Sequence, residues 1–386
     1  MHRVTLIPGD GIGPEVVDAA RRAIDATGVA IEWDRHEMGS GAFARTGNPL
    51  PTTTVDAIRA SRVALKGPVD TPVTSGERSL NLRLRKVLDL FANVRPCRLY
   101  PGVPSVYDDV DLVVVRENIE GSYTGIEFEI GTAATKELIR FIEDTTGRRV
   151  REDSGLSVKT ISDAGTERIV RLAFDEARRR GRSLVTAAHK ANIMKFTDGL
   201  FLETARRVAA DEGASGVDGG ASGVARGADG VDGAQAVGHI RFEDRIIDAL
   251  CMQLIQAPER FEVIVLPNLY GDIVAELGAG LIGGTGVAPG GLYGGDGARE
   301  LAVFEATHGT APSLAGTNRA DPLGLVLSGA MMLHHIGEAD AGDRLEAAVA
   351  AVLLDGTFLP YDLRARDDDR PAAGTFAVTD AVIGRL

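Results

Sequence analysis

Residues 77–86, with the sequence ERSLNLRLRK, combine a hydroxyl, an amide and several cations at the start of one predicted helix. Leucines recur every four residues from 80 to 88, which predicts a buried helical face. Asn81 and Arg85 are also four apart, so they share a face just after the hydroxyl of Ser79. The chain as a whole has a formal net charge of −13. A local group of cations in such a protein indicates a site for an anion.

Two further arginines, Arg95 in FANVRP and Arg116 in VVVRENIEGSYTG, each follow an apolar run that predicts a strand. Strand ends are where α/β proteins place side chains that contact ligands. The planar guanidinium group suits carboxylates, and each charge-assisted hydrogen bond contributes roughly 1.5–3 kcal/mol. Arg85, Arg95 and Arg116 are therefore candidates for binding a polycarboxylate. The alternative is that each arginine pairs with an acid at the surface.

Three carboxylates are candidates for metal ligands. Asp272 and Glu276 in NLYGDIVAE are four residues apart on one predicted helix, and Asp248 in EDRIIDAL lies in an earlier one. Oxygen donors that leave positions open for a substrate suit a hard cation such as Mg²⁺ or Mn²⁺. For Asp272 alone, the alternative is an acid that complements the dipole of its helix.

Lys190 and Tyr123 are candidates for proton transfer. Lys190, in AAHKANIMKF, follows an apolar strand and precedes a helix. Taken alone it could be an ordinary surface lysine. Buried near other cations, however, a lysine loses its proton near neutral pH, and a tyrosine can be recruited in the same way.

The segment LIPGDGIGPEVV, residues 6–17, predicts a strand, a glycine-rich turn and a helix opened by Pro14. A dinucleotide fingerprint would need glycines in the G-x-G-x-x-G register, with an acid such as Glu32 about twenty residues further on. Here the glycines stand at 9, 11 and 13. The segment is therefore weak support for a Rossmann site.

Strand-like runs alternate with helical patterns along the chain, which predicts an α/β protein with buried, largely parallel strands. The strand-like runs RVTLI, VALK, RSLVTAA and FEVIVL are followed by helical patterns at 14–27, 80–91, 191–210 and 270–281, respectively. DLVVV is a further strand-like run. Residues 211–237, rich in glycine, alanine and aspartate, predict a flexible surface insertion, with a functional lid as the alternative. Residues 132–155 predict an amphipathic helix in an arm that pairs with another subunit.

Composition limits the classes of function. The 386 residues are 44% hydrophobic and 25% charged, enough for two packed units. The negative charge argues against nucleic acid and acidic membranes as partners, and no signal peptide or membrane span is expected. We therefore expect a cytoplasmic protein. Cys97 and Cys251 lack metal-ligand spacing and are expected to be core hydrophobes.

Taken in order, GDGIGPE, RSLNLRLRK, NVRP, VRENIEGSYTG, HKANIMKFTDG, NLYGDI and FEATHGTAP resemble the isocitrate/3-isopropylmalate dehydrogenase family of metal-dependent β-decarboxylating dehydrogenases. The resemblance implies two α/β domains with a cleft between them, without a Rossmann fold. It places a large cofactor-binding domain at 1–97 plus 259–386. A small domain at 98–258 carries an intersubunit clasp arm at about 122–160. It also implies a homodimer, as in bacterial isocitrate dehydrogenases.

The RSLN segment resembles the isocitrate enzymes of this family. The resemblance implies that Ser79 and Asn81 contact the γ-carboxylate of isocitrate, while the three arginines hold its other carboxylates. It implies that oxidative decarboxylation uses a metal held by Asp272 and by Asp248 of the second subunit, with Glu276 where the family has aspartate. It assigns proton transfer to Tyr123 and to Lys190 of the partner subunit. The alternatives are another 3-substituted malate, such as homoisocitrate or 3-isopropylmalate, and a non-catalytic regulatory subunit.

GTGVAPGGLYG and HGTAPSLAGTNRADP resemble the adenosine-binding loops of the family. The cofactor contacts implied by this resemblance are Thr71, Glu305, His308, Gly309, Thr310, Ala311, Ser313, Leu314, Asp321 and Tyr361. NADP-using relatives carry a lysine-tyrosine pair where this chain has Ser313 and Leu314, and two expected arginines fall on Ala257 and Ala365. Loss of these cations favours NAD, but the nearby Arg319, Arg364 and Arg366 leave NADP open.

Overall fold

The strands predicted from apolar runs are present in the computed structural model, which describes residues 1–71, 79–216, 239–295, 297, 299–365 and 367–386. The strands are β1 (His2–Ile7), β2 (Ile31–Arg35), β3 (Val63–Lys66), β4 (Ala92–Arg98), β5 (Asp111–Glu117), β6 (Glu127–Phe128), β7 (Leu156–Ser157), β8 (Leu184–His189), β9 (Arg241–Ile246), β10 (Val263–Leu266), β11 (Gly291–Gly294) and β12 (Leu301–Phe304).

Helices connect many of these strands and follow the last one. They are α1 (Gly13–Ala26), α2 (Ser40–Thr46), α3 (Thr52–Ser61), α4 (Leu80–Val87), α5 (Ala133–Thr146), α6 (Asp163–Arg179), α7 (Asp198–Asp211), α8 (Ile247–Gln256), α9 (Asn268–Leu281), α10 (Leu323–His335), α11 (Ala339–Asp355) and α12 (Thr375–Ile383). In the described part of the chain, none of the helices combines the length and the apolar character that crossing a membrane requires.

One large sheet joins ten of the strands in the described ranges, in the order β2-β1-β3-β12-β11-β4-β5-β10-β8-β9. Three neighbouring pairs, β4 with β5, β4 with β11 and β11 with β12, are antiparallel, and the other six pairs are parallel. Residues 113–115 of β5 are each 0% exposed, as expected for a strand covered by helices on both faces. The expected α/β fold with a mostly parallel sheet is confirmed.

The sheet runs without a break through both predicted domains. β4, at the end of the first part of the large domain, pairs along its whole length with β5 of the small domain. β10 follows residue 259 in sequence, yet it lies between β5 and β8 in the sheet. The division into two domains therefore stays a prediction, and the structure adds that the two parts share one sheet.

Two helices differ from their predicted bounds by more than two residues. α4 ends at Val87 instead of 91, because Asp89 takes a left-handed backbone conformation with φ 46° that turns the chain into β4. α7 begins at Asp198 instead of 191. The buried carboxylate of Asp198 accepts a hydrogen bond from the backbone N–H of Lys190 at 2.9 Å, which closes the preceding residues into turns.

The predicted arm is an excursion from the large sheet. β6 and β7 pair antiparallel with each other, and α5 lies between them in sequence. The predicted flexible insertion begins later than expected. Residue 211 ends α7, and the carboxylate of Glu212 pairs with Arg171 at 3.0 Å. Residues 217–237 of that insertion lie outside the described residues.

Because α9 packs closely on β4, a methyl group added at Gly278 should lower the stability of the protein. Gly278 of α9 is buried, and a Cβ there would lie 2.6 Å from the Sγ atom of Cys97, itself 1% exposed. We expect Gly278→Ala to lower the free energy of unfolding by about 1–3 kcal/mol, because an overpacked core must shift. Urea denaturation measures the change.

The matched control is Gly41→Ala in α2, where an added Cβ meets nothing within 4 Å. This variant should keep the wild-type free energy of unfolding or raise it by up to about 1 kcal/mol, since alanine restricts the unfolded chain. Equal losses in both variants would contradict the packing argument.

Candidate active site

The three arginines singled out in the sequence come together on one face of the sheet. Arg95 lies in β4 and Arg116 in β5, and the register places Asn93 opposite Arg116, so both arginines point to the same face. Arg85 reaches this face from α4. Exposure is 9% for Arg85, 8% for Arg95 and 2% for Arg116. These are buried cations, so the alternative of exposed surface pairs is wrong for this group.

The electrostatics of this cluster favour a bound anion. Burial lowers the pKa of Arg116 to about 10, and repulsion from Arg85 is the next largest cause. Burial also lowers the pKa of Arg95, where the attraction of Glu305 opposes it and repulsion from Arg85 adds to it. A site that weakens its own cations in this way gains from an added negative charge.

A lysine that the sequence reading missed belongs to the same cluster. Lys66 at the end of β3 is 1% exposed, and its Nζ lies 2.7 Å from a carboxylate oxygen of Glu305. A guanidinium nitrogen of Arg85 is 3.8 Å from the other oxygen. These cations outweigh burial and lower the pKa of Glu305 to about 2. The signal was present in VALK, where one charged residue ends a buried strand as Arg95 and Arg116 were expected to do.

Arg116 is held in place by α9. Both its Nε and Nη2 donate to the side-chain oxygen of Asn268, at 3.0 and 2.8 Å, and its Nη1 contacts Asp272. The helix can come this close because residue 271 is glycine. A Cβ on Gly271 would lie 2.6 Å from Cβ and Cγ of Arg116. Sequence reading identified neither Asn268 nor Gly271.

Tyr123 and Asp272, both predicted from the sequence to belong to the active site, are in contact. The Tyr123 hydroxyl donates to Asp272, and the guanidinium of Arg116 lies 5.0 Å from the centre of the Tyr123 ring. Burial, followed by the hydrogen bond to Asp272, raises the pKa of Tyr123. The phenol is therefore a proton donor at neutral pH. Burial raises the pKa of Glu276, one turn further along α9, although the positive charge of Arg95 opposes the shift.

Ser79 and Asn81 open α4 beside the arginines. Ser79 caps the helix, because its hydroxyl accepts from the N–H of Leu82 at 3.3 Å, while Thr71 accepts from Leu80 at 2.9 Å. The buried side-chain oxygen of Asn81 and Nε of Arg85 have no hydrogen-bond partner among the described residues. Unpaired buried polar atoms are expected where a polar ligand binds. The capping role of Ser79 was not part of the sequence prediction.

Lys190 and Asp248 form a separate cluster. Lys190 follows β8, Asp248 lies in the first turn of α8, and the two side chains form an ion pair. In the described ranges no ion pair links them to Asp272. Nor do those ranges contain three acid, histidine or cysteine side chains close enough together to hold a metal. The predicted ligands Asp248, Asp272 and Glu276 are therefore not assembled within one chain, and their shared role stays a prediction.

The glycine-rich turn after β1 packs on the predicted cofactor loop. The N–H of Ile12 donates to the Thr310 carbonyl at 2.9 Å, and a Cβ on Gly11 would lie 2.0 Å from that oxygen. The Thr310 hydroxyl donates to Asp70 at 2.7 Å. The glycines thus admit the protein's own backbone, which explains why they do not follow the dinucleotide register.

The other predicted cofactor residues lie in the segment from Glu305 to Asp321 and in the turn at Tyr361. Burial lowers the pKa of His308. Gly309 is exposed, Ala311 takes a left-handed conformation with φ 35°, and Ser313 and Leu314 lie in the short helix Pro312–Leu314. Arg319 lies 5.9 Å from the ring centre of Tyr361, and both border a cavity of about 410 Å³. Their contacts with a cofactor stay a prediction.

Asp321 and Asp362 face each other across Gly286. A Cβ on this glycine would lie 2.6 Å from a carboxylate oxygen of Asp321 and 2.3 Å from one of Asp362. Asp321 is 5% exposed, and one of its oxygens has no partner among the described residues. Burial, followed by repulsion from Asp362, raises the pKa of Asp321 well above its usual value.

This carboxyl pair predicts a stability that depends on pH. The folded protein holds the proton of Asp321 more tightly than the unfolded chain, so its free energy of unfolding should fall as pH rises above about 4. Asp321→Asn removes the contribution of Asp321, while burial still raises the pKa of Asp362, and it should raise the free energy of unfolding at pH 8 by about 1 kcal/mol or more. Urea denaturation at pH 5 and pH 8 measures both quantities.

Asp109→Asn, at an exposed position, is the control and should leave the pH dependence unchanged. If Asp321→Asn kept the pH dependence of the wild type, the raised pKa of Asp321 would not be its cause.

A mostly parallel sheet that carries buried cations beside a tyrosine and acids defines an α/β protein with a buried cationic site, which suits a polycarboxylic acid. The chain belongs to the isocitrate/isopropylmalate dehydrogenase family, whose model matches residues 3–382.

Individual relatives cover most of the chain. It is 40% identical over 365 residues to the NAD isocitrate dehydrogenase subunit alpha, mitochondrial, of Homo sapiens, covering 94% of this chain and 86% of that protein. It is 41% identical over 385 residues to the NADP isocitrate dehydrogenase of Archaeoglobus fulgidus, covering 98% and 91%. The crystal structure of isocitrate dehydrogenase from Methylococcus capsulatus has a TM-score of 0.83 at 43% identity, covering 100% of this chain and 99% of that one.

Proposed function

We propose that this protein oxidises and decarboxylates isocitrate to 2-oxoglutarate and CO₂, with reduction of a nicotinamide cofactor. The observation that carries the proposal is the buried cluster of Lys66, Arg85, Arg95 and Arg116, which faces the paired carboxylates of Glu305 and Asp272. The excess of cations suits a substrate with several carboxylates. The relatives named for isocitrate support the same substrate.

Ser79 and Asn81 are the proposed specificity residues. They open α4 one turn before Arg85, whose buried Nε–H is free to donate within the described structure. A third carboxylate of the substrate would pair with this polar end, whereas the alkyl group of 3-isopropylmalate would leave buried polar groups unsatisfied. Such a mismatch is strongly selective because unpaired buried polar groups are costly.

The proton steps are assigned to this chain's own groups. Tyr123, kept protonated beside Asp272, donates a proton to the substrate carbon that CO₂ leaves. Lys190 of the partner subunit assists removal of the proton from the substrate hydroxyl as hydride departs. The arginines hold the carboxylates and so fix the geometry of both steps. The bound nicotinamide supplies the hydride acceptor.

A divalent metal fits the acids present. Asp272, Glu276 and Asp248 offer hard oxygen donors, and Asp272 and Asp248 are partly exposed. When bound, Mg²⁺ or Mn²⁺ would polarise the substrate hydroxyl and carboxylate. Asp272 already contacts Arg116 and Tyr123, so it would join the metal site to the arginine cluster.

The proposed active site is shared between two copies of the chain. α8 and α9 carry the proposed ligands and also expose a group of large apolar side chains. Their exposure is 52% for Met252, 56% for Ile255, 41% for Leu269 and 54% for Ile273. Exposed apolar groups on adjacent helices are typical of subunit interfaces. A homodimer through this face would place Lys190 and Asp248 of one copy near Asp272 of the other.

NAD is the proposed cofactor. Ser313 and Leu314 supply no cation for a 2′-phosphate, and of the expected contacts Tyr361 remains. The cytoplasmic location expected from the sequence is part of this proposal and awaits its own test.

Initial-rate measurements with purified protein, Mg²⁺ and either NAD or NADP test the function. We expect turnover of isocitrate, faster with NAD, with 3-isopropylmalate and homoisocitrate as comparison substrates. Preference for 3-isopropylmalate would contradict the role of Ser79 and Asn81. Absence of turnover with every substrate would favour the non-catalytic regulatory subunit.

Lys190→Met tests the assigned proton transfer. Methionine keeps the length of the side chain but cannot accept a proton, so kcat should fall by at least about 100-fold with little change in substrate affinity. Isothermal titration of isocitrate in the presence of Mg²⁺ measures the affinity separately. Retained kcat would remove the role of Lys190.

Mixing two inactive variants tests the sharing of sites. In a heterodimer of Tyr123→Phe and Lys190→Met chains, one site carries both substitutions and the other carries neither. Random exchange of subunits should therefore restore about one quarter of wild-type activity. Native mass spectrometry confirms that exchange has occurred. Heterodimers that remain inactive would place each site within a single chain.

A further inference from the structure

A second group of arginines surrounds a cavity on the other face of the sheet. Arg98 of β4 and Asp111 of β5 are paired in register and both border the cavity. Side chains alternate along a strand, so Arg98 points away from the face that carries Arg95, and Asp111 points away from that of Arg116. The cavity is therefore separated from the proposed active site by the sheet itself.

The cavity has a volume of about 400 Å³, within the range of small-molecule sites. Four arginines line it, Arg98 from β4 and Arg179, Arg180 and Arg182 at or just after the end of α6, together with the acids Asp111, Asp343 and Glu346. The apolar part of the lining includes Val287, Pro289, Leu327, Ala330 and Met331. The lining therefore combines several arginines, partly balanced by acids, with an apolar surface.

The arginines keep unused donors although each has an acidic neighbour. Arg98 contacts Glu346 at 2.6 Å, and Arg182 contacts Asp111 at 2.6 Å through one terminal nitrogen. The Nε of Arg182 is buried without a partner among the described residues. Arg179 is 3.5 Å from Glu176, a distance too long for a strong hydrogen bond. A guanidinium has five N–H donors, so these pairs leave several free.

We propose that this cavity binds an organic phosphate monoester, with the phosphate on Arg179 and Arg182 and the apolar body against Leu327 and Met331. Planar guanidinium groups bind phosphate oxygens in pairs, which explains the concentration of arginines in an acidic protein. Inorganic phosphate would use the arginines but not the apolar part of the lining. The assignment does not depend on the proposed function, and its test requires no turnover.

Fluorescence titration with 1-naphthyl phosphate tests the site on the full chain with saturating isocitrate and Mg²⁺ present. We expect saturable binding that weakens as salt is added. Arg179→Gln should weaken it at least tenfold. This variant should fold normally because Arg179 is half-exposed and weakly paired. Arg182→Gln is the second variant and should have an effect of similar size.

Arg178→Gln is the matched control, since Arg178 precedes Arg179 on α6 but pairs with Asp175 at 2.8 Å and does not line the cavity. It should bind the probe as wild type does. Wild-type binding in both the Arg179 and Arg182 variants, or probe binding that occurs only when isocitrate is left out, would overturn the proposal. So would the absence of saturable binding up to millimolar probe.

Discussion

The burial of several cations in one place is the constraint around which this protein is built. Lys66, Arg85, Arg95 and Arg116 are each at most 9% exposed, so water compensates little of their charge. Glu305 and Asp272 compensate part of it by direct contact. Isolated buried charges are costly by several kcal/mol, so the rest of the arrangement must keep these groups paired and rigidly placed. Asn268 and Gly271 serve that purpose for Arg116, one by hydrogen bonds and the other by its small size.

Local sequence patterns were sufficient for the middle of the fold. The apolar runs predicted six strands of the large sheet, β1, β3, β4, β5, β8 and β10, and the alternation with helices predicted the sheet type. The other four strands of that sheet, β2, β9, β11 and β12, were not predicted. The helix bounds that were wrong depend on contacts with other segments or on a single left-handed residue. α7 starts late because the Asp198 carboxylate binds a backbone N–H eight residues earlier. The local pattern of residues 191–197 could not predict that interaction.

The candidate site was only partly predictable for a similar reason. Arginines following apolar runs were found because their charge contrasts with their surroundings. Lys66 follows the same rule, but its partner Glu305 is far away in sequence. The two meet because β3 pairs with β12, with Leu65 opposite Phe304. Sheet order is a property of the whole chain, so this ion pair could not be derived from either segment. The Asp321–Asp362 contact through Gly286 is of the same long-range kind.

The unbroken sheet has a mechanical consequence. Its strands are hydrogen-bonded from β2 to β9, so the two ends can move relative to each other only by a change in twist or bend, not by a free hinge. β4 and β5 form the middle of this sheet and carry arginines on both of their faces. Bending that narrows the face of Arg95 and Arg116 must widen the face of Arg98. The arginine cluster on one face and the cavity on the other would then open and close in opposite senses.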